Sequence, residues 1–380
     1  MKKTILKWGC LAVAGILFFI LFFSFRGIQK TELMENGGRT FEKAEVLEVM
    51  QDNETESGNF VGNQIVELKL LSGEFKGSMV EATSSSSYLF GAHCEKGMKV
   101  VAIVNESNGE LVASIYSQNR GPVLWILIGI FIAVVFLIGG KKGLASIGGL
   151  LFTMLCIFLL FLPMIYKGIS PIFAAIVVVV LTTVVTMILI DGVSRKSVTA
   201  ILGTILGVVV AAVFALLFGK AAGISGYNVS DIEELVYLAE KTDIRIGELL
   251  FAGILIAALG AVMDVGMSIA STLNELQEKK EIMSVKELFA SGMNVGRDMM
   301  GTMSNTLILA FTGGSLNTLV FIYAYDYPYL QIINMYSIGI ELMQGLSASM
   351  GVVLTVPFTS LIGAWLLGKR KGVKTVKFLG

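Results

Sequence analysis

Residues 172–190 read IFAAIVVVVLTTVVTMILI, a run of 19 residues without a charged side chain. As an α-helix such a run is about 29 Å long, which matches the roughly 30 Å thickness of the hydrocarbon core of a bilayer. The stretch therefore predicts a transmembrane helix.

The rest of the chain has the same character. Its 380 residues have a mean hydropathy of +0.77, with 54% hydrophobic and 15% charged side chains, whereas an average soluble domain carries roughly 25% charged residues. The composition predicts an integral membrane protein, with the lipid bilayer as its main partner. Basic and acidic residues number 29 each, so no basic field is available to hold nucleic acid.

Chemistry-bearing residues are scarce. The chain has one histidine, three cysteines and no Walker A loop, which excludes zinc proteases, rhomboid-type proteases and ATPases. His93, Cys94 and Glu95 are adjacent along a predicted strand, so they cannot converge on one metal ion. We expect no enzymatic activity, no cofactor and no metal site.

Seven more apolar runs of membrane-spanning character flank residues 172–190, which predicts an α-helical protein with about eight transmembrane helices. The seven runs are 5–25, 123–138, 145–164, 198–218, 249–269, 302–323 and 346–367. Residues 330–345 are apolar but only roughly 24 Å long as a helix, so they are predicted to be re-entrant or interfacial. Within 198–218, Gly203 and Gly207 form a small-residue packing motif.

Lysine and arginine mark the predicted cytoplasmic side. With eight spans and a cytoplasmic N-terminus, inner segments hold 16 basic residues and short outer loops hold four. Residues 1–25 are predicted to be an uncleaved anchor, because the apolar run is long and no small-x-small cleavage site follows it. Residues 122–368 would form a seven-helix domain, followed by a basic cytoplasmic tail at 369–380 in a cytoplasmic-membrane protein.

Residues 26–121 resemble a soluble domain in composition. Short runs alternate apolar and polar side chains, as in Val66, Leu68 and Leu70, which alternate with Glu67 and Lys69. Five such runs predict a small all-β extracytoplasmic domain between the first two helices. A barrel, with an oligonucleotide-fold-like barrel as one option, and a sandwich are both compatible with them.

Asp264 is a carboxylate within the span 249–269. Gly253, Ala257, Gly260 and Ser268 share its helical face, and all of them are small or polar. Small residues allow a neighbouring helix to come close, so this stripe is expected to face the bundle interior. Asp264 would then act as a proton carrier, a cation ligand or a substrate contact, or it would be a buried carboxylate hydrogen-bonded for packing alone.

The span 302–323 is the expected partner of Asp264. It carries Asn305 and the sequence Thr312-Gly313-Gly314-Ser315, in which paired glycines weaken a helix inside the membrane. One interpretation is a discontinuous helix of the kind that binds substrate in transporters. The other is a close-packed helix crossing, with the hydroxyls bonded to their own backbone.

Three further polar features lie outside the long apolar runs. Glu341 and Gln344 share one face of the segment 330–345, and this face is predicted to point into an outward-open cavity. Glu341 would be a secondary cation contact there, or an interfacial, solvated glutamate. Ser230 with Glu233, and Ser284 with Glu287, have the spacing of a capping box and predict the starts of two amphipathic helices.

Three segments resemble the YibE/F-like family of bacterial multi-pass membrane proteins. They are 260–269, 292–306 and 307–314, and the resemblance extends over about 124–368. It implies an integral membrane protein of bacterial origin and assigns no catalytic role to any position.

The leading hypothesis is therefore a permease-like protein that moves a small solute or ion, with proton or cation coupling at Asp264. Its site would comprise Asp264, Ser268, Asn305, Thr312 and Ser315, with Glu341 nearby. The alternative is a non-transporting assembly or signalling protein whose extracytoplasmic β domain binds a protein partner.

Overall fold

The computed structural model describes residues 2–25, 27, 38–54, 62–85, 91–107, 109–279 and 283–368. The chain forms two compact units. One comprises Met1–Thr31 with Ile138–Gly380, and the other comprises Glu32–Leu137. The tail predicted at 369–380 lies outside the described residues.

The second unit contains a closed five-stranded barrel. Its strands are β1 (Thr40–Gln51), β2 (Gln64–Leu70), β3 (Met79–Ser84), β4 (Lys99–Ser107) and β5 (Glu110–Gln118), in the order β1-β2-β3-β5-β4. The β3–β5 pair is parallel and every other pair is antiparallel. Val66, Leu68 and Leu70 are completely buried, as their alternation predicted. The prediction of a small β domain is confirmed, and the architecture is the barrel.

The remaining described chain is helical. The helices are α1 (Lys2–Phe25), α2 (Gly121–Cys156), α3 (Leu162–Tyr166), α4 (Pro171–Asp191), α5 (Arg195–Ala222), α6 (Ile232–Glu240), α7 (Ile246–Lys279), α8 (Val285–Gly314), α9 (Leu316–Ala324), α10 (Tyr329–Ile333) and α11 (Tyr336–Leu367). A π-helical turn, Ile157–Phe161, joins α2 to α3. Six helical stretches in the described chain are long and apolar enough to cross a membrane, or seven if α8 and α9 together make one span.

The runs 123–138 and 145–164, predicted as separate spans, lie in one helical stretch, Gly121–Tyr166. Its 46 residues would measure about 69 Å if straight, more than twice the hydrocarbon core. The helix is interrupted at Gly140, where φ is 52° and ψ is −133°. Glycine reaches this conformation without the steric cost that a side chain would add. The predicted loop is therefore a sharp kink within a continuous helical stretch.

The segment 330–345 is not a separate helix, and that prediction is wrong. Tyr329–Ile333 is a short helix, and Tyr336 begins α11, which passes through Gly345 to Leu367 without interruption. The break lies at Met335, whose φ of −68° and ψ of 130° are extended. The polar residues Glu341 and Gln344 are accommodated within a 32-residue helix.

Contacts between helix ends distinguish the two ends of the membrane unit. Lys7 donates to a carbonyl in the last turn of α4 at 2.9 Å, and Arg195 donates to one in the last turn of α11 at 3.1 Å. Lys167 donates to the Ser24 carbonyl at the opposite end of α1, at 3.0 Å. We call these the Lys7 end and the Lys167 end. The first described helix begins, and the last one finishes, at the Lys7 end.

Close helix packing surrounds α11, which contacts α5, α7 and α8. A Cβ atom added to Gly203 would lie 2.0 Å from the Thr359 hydroxyl, and one added to Gly207 would lie 1.8 Å from the Thr355 hydroxyl. The spacing of Gly203 and Gly207 therefore serves close helix packing, as the sequence predicted.

The two predicted capping boxes have different outcomes. Ser284 accepts from the Glu287 backbone N–H, and the Glu287 side chain accepts from the Ser284 backbone N–H, so the box at the start of α8 is confirmed. The box at Ser230 is wrong, because α6 begins one residue later behind Asp231 and has no side-chain cap.

Candidate functional site

The face of α7 that carries Asp264 is the face that the rest of the chain leaves exposed. Exposed residues on it are Gly253, Ala257, Gly260 and Asp264, whereas the buried residues of α7 include Leu255, Leu259, Val262 and Ile269. The prediction that the small-residue stripe faces the bundle interior is wrong. Large apolar side chains gain more from packing, because each one buries more surface, and they occupy the contacts of α7 with α4, α5 and α11.

Asp264 has no polar partner within the described chain. No hydrogen bond or ion pair reaches its carboxylate, and the two ion pairs among the described residues, Lys196 with Asp191 and Lys279 with Glu275, involve other groups. A carboxylate on the central part of a membrane helix costs at least about 2.5 kcal/mol if nothing compensates its charge. The alternative of an aspartate hydrogen-bonded for packing alone is therefore not what the structure has.

Ser268 follows Asp264 by one helical turn and is half-buried. Its backbone carbonyl accepts from the Thr272 hydroxyl at 3.0 Å. These two residues and the exposed glycines before them form a polar strip along one side of α7.

The break predicted near Gly313 and Gly314 is present. Helix α8 ends at Gly314, and α9 leaves it at an angle of 63°. A Cβ added to either glycine would meet nothing within 4 Å, so this is not a close-packed crossing. The hydroxyls of Thr312 and Ser315 nevertheless bond to carbonyls of their own helix, at 2.8 and 3.3 Å, as the second interpretation expected.

The two helices that carry most of the predicted site residues pack together, but no hydrogen bond in the described chain connects the site residues themselves. Helices α7 and α8 pack against each other. Asn305 and Thr312 are exposed, and Ser315 is half-buried. No hydrogen bond in the described chain links any two of the six predicted site residues.

A cavity of about 930 Å³ lies between α5, α8, α10 and α11. Glu341 is half-buried and does not line it, and neither does Gln344. The face of α11 that does line the cavity includes Leu342, Met343 and Leu346. The Glu341 face therefore does not point into this cavity, because these apolar neighbours form the wall on the α11 side.

Buried hydroxyls are the polar groups that our sequence reasoning missed. Thr204, Thr359 and Ser360 are completely buried, and their hydroxyls have no hydrogen-bond partner in the described chain. They lie against glycines of neighbouring helices, at Gly266, Gly203 and Gly292. Serine, threonine and glycine at helical spacing within apolar runs could have indicated these contacts. Such residues are common in membrane helices, however, so the pattern alone is not specific.

A second unpredicted cluster lies in the barrel unit. One ligand-capable atom each of Asp52, Glu54 and His93 lies within 4.8 Å of the others. Both carboxylate residues are exposed, and such clusters are common on protein surfaces without an ion. About 40 residues of sequence separate His93 from the two carboxylates, which is why the spacing did not reveal the cluster.

Comparisons with known proteins give one match. Residues 127–369 match the family model described as YibE/F-like protein. This range contains every helix from the second half of α2 to α11, and it includes the three segments on which the resemblance was based. Searches of curated proteins and of solved structures give no significant match.

Proposed function

We propose that this chain, which belongs to the YibE/F-like family, is a permease-like protein that moves a small solute or ion across the cytoplasmic membrane. The observation that carries the proposal is the carboxylate of Asp264, which has no polar partner among the described residues and lies on a helix that packs against the interrupted α8–α9 pair. Proton or cation coupling through this carboxylate is the proposed energy source.

We propose eight membrane crossings. Ser24 and Lys167 are hydrogen-bonded at one end of the unit, so the chain between them crosses an even number of times. The part after Gly140 runs from the Lys7 end, where a Cβ added to Gly148 would lie 3.9 Å from Leu189, to the Lys167 end. In the proposed topology, residues 121–139 supply the second crossing, and it ends at the kink at Gly140.

The proposed orientation places the Lys7 end in the cytoplasm. This end holds Lys7, Arg195 and Lys196 on helix termini that contact one another. Short loops rich in lysine and arginine stay on the cytoplasmic side during insertion. Both termini are then cytoplasmic and the β-barrel is extracytoplasmic, in a membrane that the family resemblance suggests is bacterial.

Two features support a coupling role for Asp264. An ionisable group in a membrane span is retained for a partner or a pathway, since it is costly in lipid. An interrupted helix exposes backbone groups at its break, and transporters use such breaks to bind ions and substrates. The bend at Ser315 lies on the helix that packs against the Asp264 helix.

The test compares Asp264→Asn with the wild type in liposomes that contain the pH indicator pyranine. A panel of Na⁺, K⁺ and small neutral solutes is added outside, and the change in internal pH is measured. We expect at least one compound to give proton movement with the wild type and none with Asp264→Asn, because asparagine cannot carry the proton.

The matched control is Asp298→Asn. Asp298 is an exposed carboxylate on α8 and does not belong to the polar strip of α7. Its loss should therefore leave proton movement unchanged. Wild-type proton movement in a folded Asp264→Asn protein would overturn the coupling proposal.

A second candidate function rests on the barrel. Phe41 on β1 and Tyr116 on β5 form an edge-to-face pair with centroids 5.2 Å apart, and they remain 59% and 47% exposed. Exposed aromatic pairs on a small polar domain favour a protein partner. As the alternative, we propose a non-transporting assembly or signalling protein whose barrel binds a protein partner.

Full-length variants separate the two functions. In a strain that lacks the native protein, the double variant Phe41→Ser, Tyr116→Ser and the single variant Asp264→Asn are compared for rescue of the deletion phenotype. Loss of rescue only with the barrel variant would favour the assembly role, and loss only with Asp264→Asn would favour transport.

A further inference from the structure

The cavity between α5, α8, α10 and α11 has a lining without charge. None of its 18 lining residues is Asp, Glu, Lys, Arg or His, and most are apolar. At about 930 Å³ it is at the upper end of the range for small-molecule sites. An ionic ligand would find no counter-charge here, so the lining selects an uncharged one.

Polar residues are nevertheless part of this lining, with Asn334 and Tyr336 at the α10 end and serines at the other end. Ser304 on α8 and Ser349 on α11 both line it, and neither hydroxyl has a hydrogen-bond partner in the described chain. Ser349 is only 7% exposed. A buried hydroxyl without a partner is destabilising, and a ligand group that bonds to it would recover the lost free energy. Because both residues line the cavity, rotation about χ1 is enough to turn each serine hydroxyl towards a ligand inside it.

The same end offers a backbone acceptor. Pro357 lies inside α11 and has no N–H, so the carbonyl four residues earlier, at Val353, lacks its helical donor. Val353 also lines the cavity. A carbonyl can only accept, so a ligand that satisfies it must carry a donor. A hydroxyl group can donate to this carbonyl and also exchange hydrogen bonds with the two serines.

The rest of the wall suits a hydrocarbon chain. Met335, Met343 and Met350 line it together with Phe214 and Phe218. Methionine is flexible and polarisable, so it adapts to an irregular apolar ligand. Along α11 the lining runs from Tyr336 to Val353, about 26 Å of helix, which is long enough for an extended chain.

We propose that this cavity binds an uncharged lipid-like molecule with a free hydroxyl group. The hydroxyl is held by Ser304, Ser349 and the Val353 carbonyl, and the hydrocarbon chain lies along the methionine-lined wall. Asp264 does not line this cavity. Binding is therefore independent of the proposed coupling role.

The test uses a long-chain fatty alcohol with a photoactivatable diazirine and an alkyne handle. The purified full-length protein is labelled in nanodiscs, and mass spectrometry locates the label. We expect labelling of the peptide that contains Leu342 and Val353. Hexadecanol should displace the label, whereas its methyl ether and hexadecanoate should be much weaker competitors.

Variants locate the binding groups. Ser349→Ala should weaken competition by hexadecanol about fivefold, the value of one neutral hydrogen bond. Met350→Trp should block the cavity and abolish the specific labelling. Val180→Trp, in the apolar groove between α1 and α4, is the matched control and should have no effect.

Three outcomes would overturn the proposal. The methyl ether displaces the label as well as the alcohol does, the carboxylate competes equally, or labelling of the Leu342–Val353 peptide persists in a folded Met350→Trp protein. The labelling readout does not depend on solute movement, so a failed transport assay leaves it intact.

Discussion

Gly207 shows how little space the bundle leaves at a helix crossing. A Cβ there would lie 1.8 Å from the Thr355 hydroxyl and 3.1 Å from a backbone oxygen of Gly351. We expect Gly207→Ala to destabilise the protein by about 1–3 kcal/mol, because α5 and α11 must separate to admit the methyl group. The measurement is the thermal unfolding midpoint in detergent.

Gly260→Ala is the control for that substitution. Gly260 also lies inside a membrane helix, but a Cβ there would meet nothing within 4 Å. Alanine favours the helix by up to about 1 kcal/mol over glycine, so this variant should be neutral or more stable. Equal destabilisation by the two substitutions would contradict the packing explanation.

Cys94 is a buried thiol in the hydrophobic core of the barrel unit. Its burial raises the pKa of the thiol from 9.0 to about 11, although a hydrogen bond with Ser84 acts in the opposite direction. In a protein with Cys10 and Cys156 replaced by serine, native Cys94 should react with a maleimide at pH 8 about a hundredfold more slowly than the unfolded chain. The reason is the smaller thiolate fraction.

The same shift makes stability depend on pH. The folded-state pKa lies above the unfolded value, so the stabilising contribution is complete below pH 9 and is lost as the pH rises towards 11. Denaturant midpoints of the barrel should therefore fall over this window. Cys94→Ala should lack that part of the fall, and an identical pH profile in the two proteins would refute the effect.

Among the helices, the stretch Gly121–Tyr166 is divided in two at Gly140. Alanine at φ 52° and ψ −133° would be strained by about 1–3 kcal/mol. We expect Gly140→Ala to lower the thermal midpoint or to straighten the helix. Gly139→Ala has ordinary helical backbone and open space around it, and it should do neither.

Individual elements differ in how far the sequence predicts them. Hydrophobic runs predicted the membrane helices, and alternation predicted the strands, because both follow from periods within a single element. The orientation of α7 was mispredicted because a stripe of small and polar residues distinguishes one helix face from the others. It does not determine whether other helices of the chain bury that face. The unbroken α11 was missed because residues 330–345 are too short to cross a bilayer by themselves and were therefore treated as a separate segment.

The candidate site was less predictable than the fold. Asp264 and the break after Gly314 were visible as local anomalies in apolar runs. The cavity and its three lining serines were not, since the lining comes from α5, α8 and α11, whose juxtaposition depends on tertiary packing.

At the scale of the whole molecule, the number of crossings is testable by labelling. In a cysteine-free background, cysteines at Ser194 and Lys141 should react with a membrane-impermeant maleimide from the same, cytoplasmic side. A cysteine at Tyr227 should react from the other side. If 121–166 crossed once, Lys141 would lie within the bilayer and would not react. Reaction of Ser194→Cys only from outside would reverse the proposed orientation.

The glycine-facing hydroxyls around α11 have a mechanical consequence. Thr359 and Ser360 of α11 meet Gly203 of α5 and Gly292 of α8, and no hydrogen bond in the described chain fastens these two hydroxyls. Smooth surfaces of small residues lack the interlocking knobs that resist displacement along the helix axis. Among the described residues, the Arg195–Leu366 hydrogen bond is the one directional bond between α11 and these two helices, so a lengthwise shift of α11 against α5 and α8 breaks few polar contacts, which suits a shear motion.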